Sequence, residues 1–291
     1  MQSLSYVELG GTLFIPASHK NLPLIVRGEK YRELKSVVID FEDGLEEELF
    51  QEAMDNFENI LADINTHSPL LFLRARDSGH FQTLLTLKSI TVVTGFVLAK
   101  FSLSNAEEYL DAVKKTEYLI MPSIEGEELF HPLKLHQLKE KILTHKQKVV
   151  LVRFGLEDML RQLGMRRKCN ESLFERSATS MVVGNFIATF KSAGFAVSGG
   201  VYPCFKDTLG FQKDVKRDLA EGLFSKTVIH PSQVKEINEL YKVTKEEYKE
   251  ALEIVESQKH LFAQNGKMAE VPTMKPYSEE ILLRAKVYGI F

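Results

Sequence analysis

Short apolar, β-rich runs alternate with helix-period segments along most of this chain, and that alternation restricts the fold more than any other feature. The runs are Thr12–Pro16, Ser36–Glu42, Leu70–Arg76, Gly95–Phe101, Tyr118–Glu125, Lys148–Gly155, Phe195–Tyr202 and Lys226–His230. Most are continuously apolar rather than alternating, as in strands buried on both faces of a parallel sheet. The intervening segments read as helices. After the second run, Leu45, Leu49, Phe50, Met54, Phe57, Leu61 and Ile64 recur at helical spacing. Asn105 with Glu108, and Ser172 with Glu175, have the spacing of capping boxes that open helices. Gly194 sits where a C-cap glycine would end the helix opened at Ser172. A βα unit repeated about eight times is the pattern of a closed (β/α)8 TIM barrel. A doubly wound open sheet is the alternative, disfavoured because no glycine-rich dinucleotide fingerprint follows the first run.

The chain has 291 residues, 44% of them hydrophobic, enough for one large core. We read residues 1–240 as the barrel and 241–291 as a C-terminal helical extension. Thr244 with Glu247 opens a helix running to about His260, the turn-rich AQNGKMAEVP breaks it, and Tyr277–Val287 is a last amphipathic helix. A barrel does not need this tail. It is a lid on the mouth or an arm for a neighbouring subunit. The net charge is −3 with no broad basic excess, so a nucleic-acid partner is not expected. The N-terminal residues lack the basic and apolar regions of a signal peptide, and no run approaches the ~20 apolar residues of a membrane helix. Cys169 and Cys204 are expected as free thiols, and the protein as cytoplasmic.

Active sites of (β/α)8 barrels form at the C-terminal strand ends. The ionisable residues expected there are Glu42, Asp43, Arg74, Arg76, Lys100, Glu125, Glu157, Asp158 and His230. Converging carboxylates repel unless something neutralises them, and a divalent cation does so. Magnesium takes oxygen ligands and needs only one or two carboxylates. Glu125 and Asp158 are the expected ligands. Carboxylates after strands also cap helices, a reading open to Glu157 and Asp158. Glu42 and Asp43 are expected behind the ligands or as caps rather than on the ion. Arg74 inside an apolar strand needs a carboxylate or a substrate. His230 precedes Pro231, which suits a first helical turn, and is expected to be structural.

Several motifs, in order, resemble the citrate lyase beta-subunit-like group of the HpcH/HpaI aldolase superfamily. LFIPASHK (Leu13–Lys20) resembles the family's LFVPG, VVIDFEDGL (Val37–Leu45) its ILDLEDAV, and LFLRARD (Leu71–Asp77) the strand carrying its substrate arginine. FVLAKF (Phe96–Phe101), IMPSIE (Ile120–Glu125) and FGLEDMLRQLG (Phe154–Gly164) are similar to its VLPK strand, its metal-glutamate strand and its FGAEDLAADLG. GLFSKTVIHPSQVKEIN (Gly222–Asn238) and NGKMAEVP (Asn265–Pro272) are similar to its GFDGKLAIHPAQV and DGKMVDRP. The resemblance implies a carbon–carbon lyase or aldolase, acting on a 2-oxo acid or a 3-hydroxyacyl-CoA type substrate through a metal-stabilised enolate. It implies Mg2+ on Glu125 and Asp158, Arg74 against the developing charge, and coenzyme A as part of the substrate, with Lys20 and Lys100 as candidates to hold it. It further implies a homo-oligomer, trimer or hexamer, in which Glu270 reaches a neighbour's site.

The chain departs from the family at Gly11–Thr12, at Ser102 and at Gly126-Glu127-Glu128, where added carboxylates would repel an anionic substrate unless they point away. The alternative function is a catalytically inactive barrel serving as a binding or assembly component. Retention of Arg74, Glu125 and Asp158 together favours the enzyme, since a scaffold has no use for that cluster.

Overall fold

The computed structural model describes residues 4–61, 64 and 67–291. Met1–Ser3, at the start of the N-terminal segment discussed above, lie outside the described residues. The chain divides into two compact units, Met1–Val234 and Lys235–Phe291.

The first unit is built on seven parallel strands. They are β1 (Gly11–Pro16), β2 (Ser36–Asp40), β3 (Leu70–Arg74), β4 (Gly95–Leu98), β5 (Leu119–Ile124), β6 (Arg153–Phe154) and β7 (Lys226–Val228). Their order in the sheet is β6-β5-β4-β3-β2-β1-β7. The expected strand over Phe195–Tyr202 is shorter than the sequence predicted. It survives as two isolated parallel bridges, Val152 with Val197 and Gly199 with Lys226. Those bridges stand between β6 and β7, and they close the sheet. The Val152 N–H donates to Ala196 O at 2.8 Å and the Thr227 N–H donates to Gly199 O at 3.2 Å. Closure settles the fold as the (β/α)8 barrel and removes the open doubly wound sheet. Gly199 and Gly200 explain the weak eighth stave: glycine gives the ladder no side chain to pack.

The inner floor is apolar. Leu9, Val38, Phe72, Val97, Met121 and Leu151 form a fully buried cluster. The continuous apolar runs are what a core filled from every stave requires. Outside, the helix Phe50–Leu61 buries Ala53, Phe57, Ile60 and Leu61, and ends before Ile64. Ser172 and Glu175 form the expected capping box, but it opens a single 3-10 turn; the long helix begins at Ser177 and ends at Lys191, close before Gly194. Asn105 does cap position for the helix Ala106–Lys114 without a capping bond. Its side chain accepts instead from the Ser102 N–H at 2.9 Å and donates to Lys100 O at 3.0 Å. Glu108 accepts from Ser78 Oγ at 2.5 Å. A neighbouring loop outbids the local cap.

The cysteines correct another expectation. Cys169 and Cys204 form a disulfide, with Cα atoms 5.7 Å apart and a sequence separation of 35. Their loops are brought together by other bonds, notably Asn170 N–H to Tyr202 Oη at 2.7 Å and Lys213 Nζ to Asn170 Oδ1 at 3.0 Å. That places two thiols within bonding reach, which composition alone does not reveal.

The second unit holds the two helices expected of the extension and adds a hairpin between them. The capping box of Thr244 and Glu247 opens the helix Lys245–Glu256. The turn-rich segment is an antiparallel hairpin, Leu261–Gln264 with Lys267–Glu270. Asn265 and Gly266 form its two-residue turn with φ of 49° and 74°, the backbone that an Asn-Gly pair adopts readily. The last helix is longer than expected, Val271–Tyr288, with Pro272 in its first turn. Among the described residues, no helix is long and apolar enough to cross a membrane.

Candidate metal and acid site at the barrel mouth

A cleft of about 450 Å3 opens at the C-terminal ends of the strands. Asp40, Asp43, Arg74, Glu125, Arg153 and Asp158 line it. Each arrives there for a local reason. Asp40 ends β2 and Arg74 ends β3, and the two are register partners. Their side chains meet in a two-point ion pair, Nε to Oδ1 and Nη2 to Oδ2, both 2.6 Å. Arg74 Nη1 also reaches Glu42 at 2.9 Å and Asp43 at 3.5 Å. Burial works against the Arg74 charge, but Asp40, Glu42 and Asp43 outweigh it and raise its pKa. Arg74 is thus a buried cation with carboxylate partners, as buried cations must be.

Glu42 is buried and pairs with Arg74 and Lys100. Burial, only partly offset by Arg74, pushes its pKa up. Lys100 lies two residues past β4 in the left-handed region, φ 48°. It stands above Glu42 and 3.4 Å from Asp43, and its hydrogen bond to Glu42 raises its pKa. Burial pushes Asp43 up, but Arg74, a hydrogen bond from Glu42 and Lys100 together hold its pKa below the usual carboxylate range.

Glu125 follows β5 directly and is 5% exposed. Its Oε2 is buried with no hydrogen-bond partner among the described residues. Burial is the main cause of its raised pKa, pushed up to about 7, with Glu42 and Asp158 adding to it and Ser123 and Arg74 opposing. Gly155 makes this placement possible. A Cβ there would lie 2.4 Å from Glu125 Cγ, so only glycine lets Glu125 cross the end of β6. Asp158 follows in the first turn of the helix Leu156–Gln162. Gln162 anchors that helix by donating to Glu125 O at 2.7 Å. Asp158 accepts from Arg161, an exposed residue, at 2.7 Å.

Carboxylate oxygens of Asp43, Glu125 and Asp158 all lie within 4.8 Å of one another. Oxygens around an ion held at about 2.0–2.1 Å stand ~3–4 Å apart, so small rotations suffice to ligate one. The orphaned Glu125 oxygen and the all-oxygen donor set fit a hard divalent cation. Asp43, expected behind Glu125 and Asp158, has a carboxylate oxygen in the same cluster.

The other expected residues are placed elsewhere. Lys20 lines a separate cleft of about 540 Å3 with His19, Glu52 and Asn56. Arg76 turns outward to Glu47 and Phe41 O. His230 stacks on Phe205, centroids 4.4 Å apart, and its Nδ1 meets Ser232 Oγ at 2.8 Å. Glu270 is exposed in the second unit, at the N-cap of the last helix, with no capping bond from its side chain. The acidic run after Glu125 points away from the cleft. Glu127 pairs with Lys134 at 2.5 Å, and the buried Glu128 accepts from the Leu103 N–H at 2.9 Å. The Gly11–Thr12 departure lies at the opposite end of β1 from the mouth, where Thr12 bonds Ser36.

The family described as C-C_Bond_Lyase of the TIM-Barrel fold matches residues 3–290. The chain belongs to that family of carbon–carbon bond lyases. Solved structures share the barrel at low identity. CitE from Mycobacterium tuberculosis, in complex with magnesium, acetoacetate and coenzyme A, is 21% identical with a TM-score of 0.69, over 97% of this chain and 99% of that one. The citrate lyase beta subunit from M. tuberculosis, complexed with oxaloacetate and magnesium, is 18% identical with a TM-score of 0.58, over 81% and 98%. RipC from Yersinia pestis is 18% identical with a TM-score of 0.63, over 84% and 99%. None of the curated protein sequences compared matches the lyase chain.

Sequence reasoning overlooked Arg153. It lies within the apolar run KVVLVRFG, where a single inward cation was the available signal.

Proposed function

We propose that this lyase binds Mg2+ on Glu125, Asp158 and Asp43 and makes or breaks a carbon–carbon bond beside the carbonyl of a 2-oxo acid or a 3-hydroxyacyl-CoA. The observation that carries the reading is the buried, partnerless Glu125 oxygen facing two further carboxylates in a cleft with Arg74. The magnesium, acetoacetate, oxaloacetate and coenzyme A bound by the similar M. tuberculosis proteins support it. The ion, when bound, supplies Lewis acidity toward a chelated acid. Arg74, locked by Asp40, supplies fixed positive charge where negative charge grows. Lys100 keeps Glu42 and Asp43 oriented. Engagement of Glu127 and Glu128 by Lys134 and Leu103 removes the repulsion that favoured an inactive barrel.

Metal binding tests this through its pH dependence. With the Glu125 carboxyl pushed up to about 7, ligation must displace its proton at lower pH. Calorimetry should show Mg2+ affinity falling about tenfold per pH unit below ~7 and level above it. The metal-free protein should lose stability as pH rises from the unfolded value of 4.5 toward about 7, because the folded state holds the extra proton there. An affinity that ignores pH between 5.5 and 8.5 sinks the ligand assignment.

In the same reading the protein is a homo-oligomer, and the second unit brings Glu270 to a neighbouring copy's cleft as a base. Leu261 and Met268, 52% and 68% exposed on its hairpin, are apolar surface suited to such a contact. Glu270→Gln should slow deuterium exchange into the methyl group of pyruvate by about 10²-fold or more while leaving Mg2+ affinity unchanged. Wild-type exchange would remove the arm.

A further inference from the structure

Arg153 is 2% exposed and lines the cleft floor. Its Nη1 donates to Thr227 Oγ1 at 2.8 Å, and its Nε points at Met121 Sδ, a weak acceptor, at 3.3 Å. Its Nη2 is buried without any hydrogen-bond partner among the described residues. The guanidinium lies 5.3 Å from the centre of the Phe14 ring, which also carries Arg74 at 5.4 Å. Other buried cations are treated differently. Arg74 meets Asp40, Arg167 meets Asp214, and Lys226 meets Asp214 and Asp218. Among the described residues Arg153 makes no ion pair with a carboxylate, and burial with the nearby Arg74 charge pushes its pKa down to about 9. It stays charged at neutral pH. A buried, unpaired guanidinium is costly, and a ligand anion is what removes that cost.

The register says where such an anion would sit. Arg153 pairs with Ser123 across β5 and β6. Glu125 is two residues further along β5, on the same face, about 7 Å higher. A four- or five-carbon diacid spans about 4–5 Å between its carboxyl carbons, and its outer oxygens and the ion cover the rest. We propose that Arg153 seats a second anionic group of the substrate, making the cleft selective for 2-oxo dicarboxylates over 2-oxo monocarboxylates. This deepens the reading above and rests on it for the first, metal-side group. The acid lies with its 2-oxo end toward Glu125 and Asp158 and its far carboxylate between Arg153 and the Thr227 hydroxyl. A planar fork with free Nη2 donors suits a carboxylate held at two points.

Two matched pairs of probes test it: oxaloacetate against 2-oxobutyrate, and 2-oxoglutarate against 2-oxovalerate. Within each pair only the terminal carboxylate differs from a methyl group. Binding is measured by calorimetry on the full chain, with and without Mg2+, for wild type, Arg153→Met and Arg153→Lys. Wild type should prefer the dicarboxylate of at least one pair by about tenfold or more. Arg153→Met should erase the preference by weakening the dicarboxylate alone, with Mg2+ affinity unchanged. Arg153→Lys, which keeps the charge and volume if the methionine variant does not fold, should reduce the preference severalfold. Equal loss for both acids, or an unchanged preference in either folded variant, overturns the proposal. A wild type that binds Mg2+ and the monocarboxylates without preference overturns it too, and leaves the metal reading standing. A preference that persists where no Mg2+ binds supports Arg153 and sinks the metal reading instead.

Discussion

Asp158→Ala should abolish measurable Mg2+ binding and lower pyruvate deuterium exchange at least ~1000-fold, while the barrel stays folded. The size follows from what is removed. Losing a residue that merely orients a ligand costs 10–100-fold in affinity or activity, and losing a ligand should cost more. A Lewis acid at a developing enolate contributes several kcal/mol, with ~1.4 kcal/mol to each tenfold in rate. The fold should survive because Asp158 is a surface feature. Its side chain keeps 24% exposure, and its partner Arg161 is itself exposed. The remaining loss is that of an acid in a first helical turn, ~0.3–1 kcal/mol. Glu125→Gln should show the same loss of metal, without the stability cost that a buried carboxylate imposes as pH rises toward about 7. Unchanged calorimetric affinity in Asp158→Ala would place the ion elsewhere. A collapse of circular dichroism would show instead that the residue is structural.

Much of this site was legible in the sequence because its residues sit at strand ends. β2, β3, β5 and β6 could be placed from apolar runs, so Glu42, Asp43, Arg74, Glu125 and Asp158 fell at one mouth without any knowledge of contacts, while Asp40, the partner of Arg74, was not singled out. What stayed hidden depended on pairing across the barrel. Asp43 looked like a residue beside the site, and only the fold shows its oxygen near those of Glu125 and Asp158. Arg153 looked like one cation in an apolar strand, and the absence of an ion pair to it among the described residues is a three-dimensional fact. The helix cap at Asn105 failed because the loop at Lys100 and Ser102 competes for the same side chain. The hairpin turn was signalled by Asn265-Gly266, but the strands beside it are four residues each, too short for a periodic pattern. The eighth stave was overcalled. Val197 and Gly199 pair, but consecutive glycines leave the segment held by something other than a ladder.

That something is Lys226, and Lys226→Met should destabilise the protein by ~3–5 kcal/mol, as loss of one partner of a buried ion pair does. Lys226 is fully buried at the start of β7. Its Nζ donates to Gly200 O at 2.7 Å, Asp214 Oδ2 at 2.8 Å and Asp218 Oδ2 at 2.5 Å. Asp214 also holds Arg167, which donates onward to Val201 O at 2.9 Å and lies over the Tyr202 ring. The network therefore stitches β7 to the glycine segment that completes the barrel. Gly199 is part of the design: a Cβ there would lie 2.2 Å from Asp218 Oδ2. Methionine would keep the bulk, strip Asp218 of its paired cation and leave Asp214 with Arg167 alone. Burial already raises the Asp218 carboxyl, with Asp214 adding to it against the pull of Lys226. Without that pull the carboxyl rises further, so the folded variant takes up a proton more readily than its unfolded chain. Its destabilisation should be smaller at pH 5 than at pH 8. Urea unfolding at the two pH values measures both the loss and its sign. A loss below ~1 kcal/mol, or one that grows in acid, would mean that the backbone bridges at Val197 and Gly199 close the barrel by themselves.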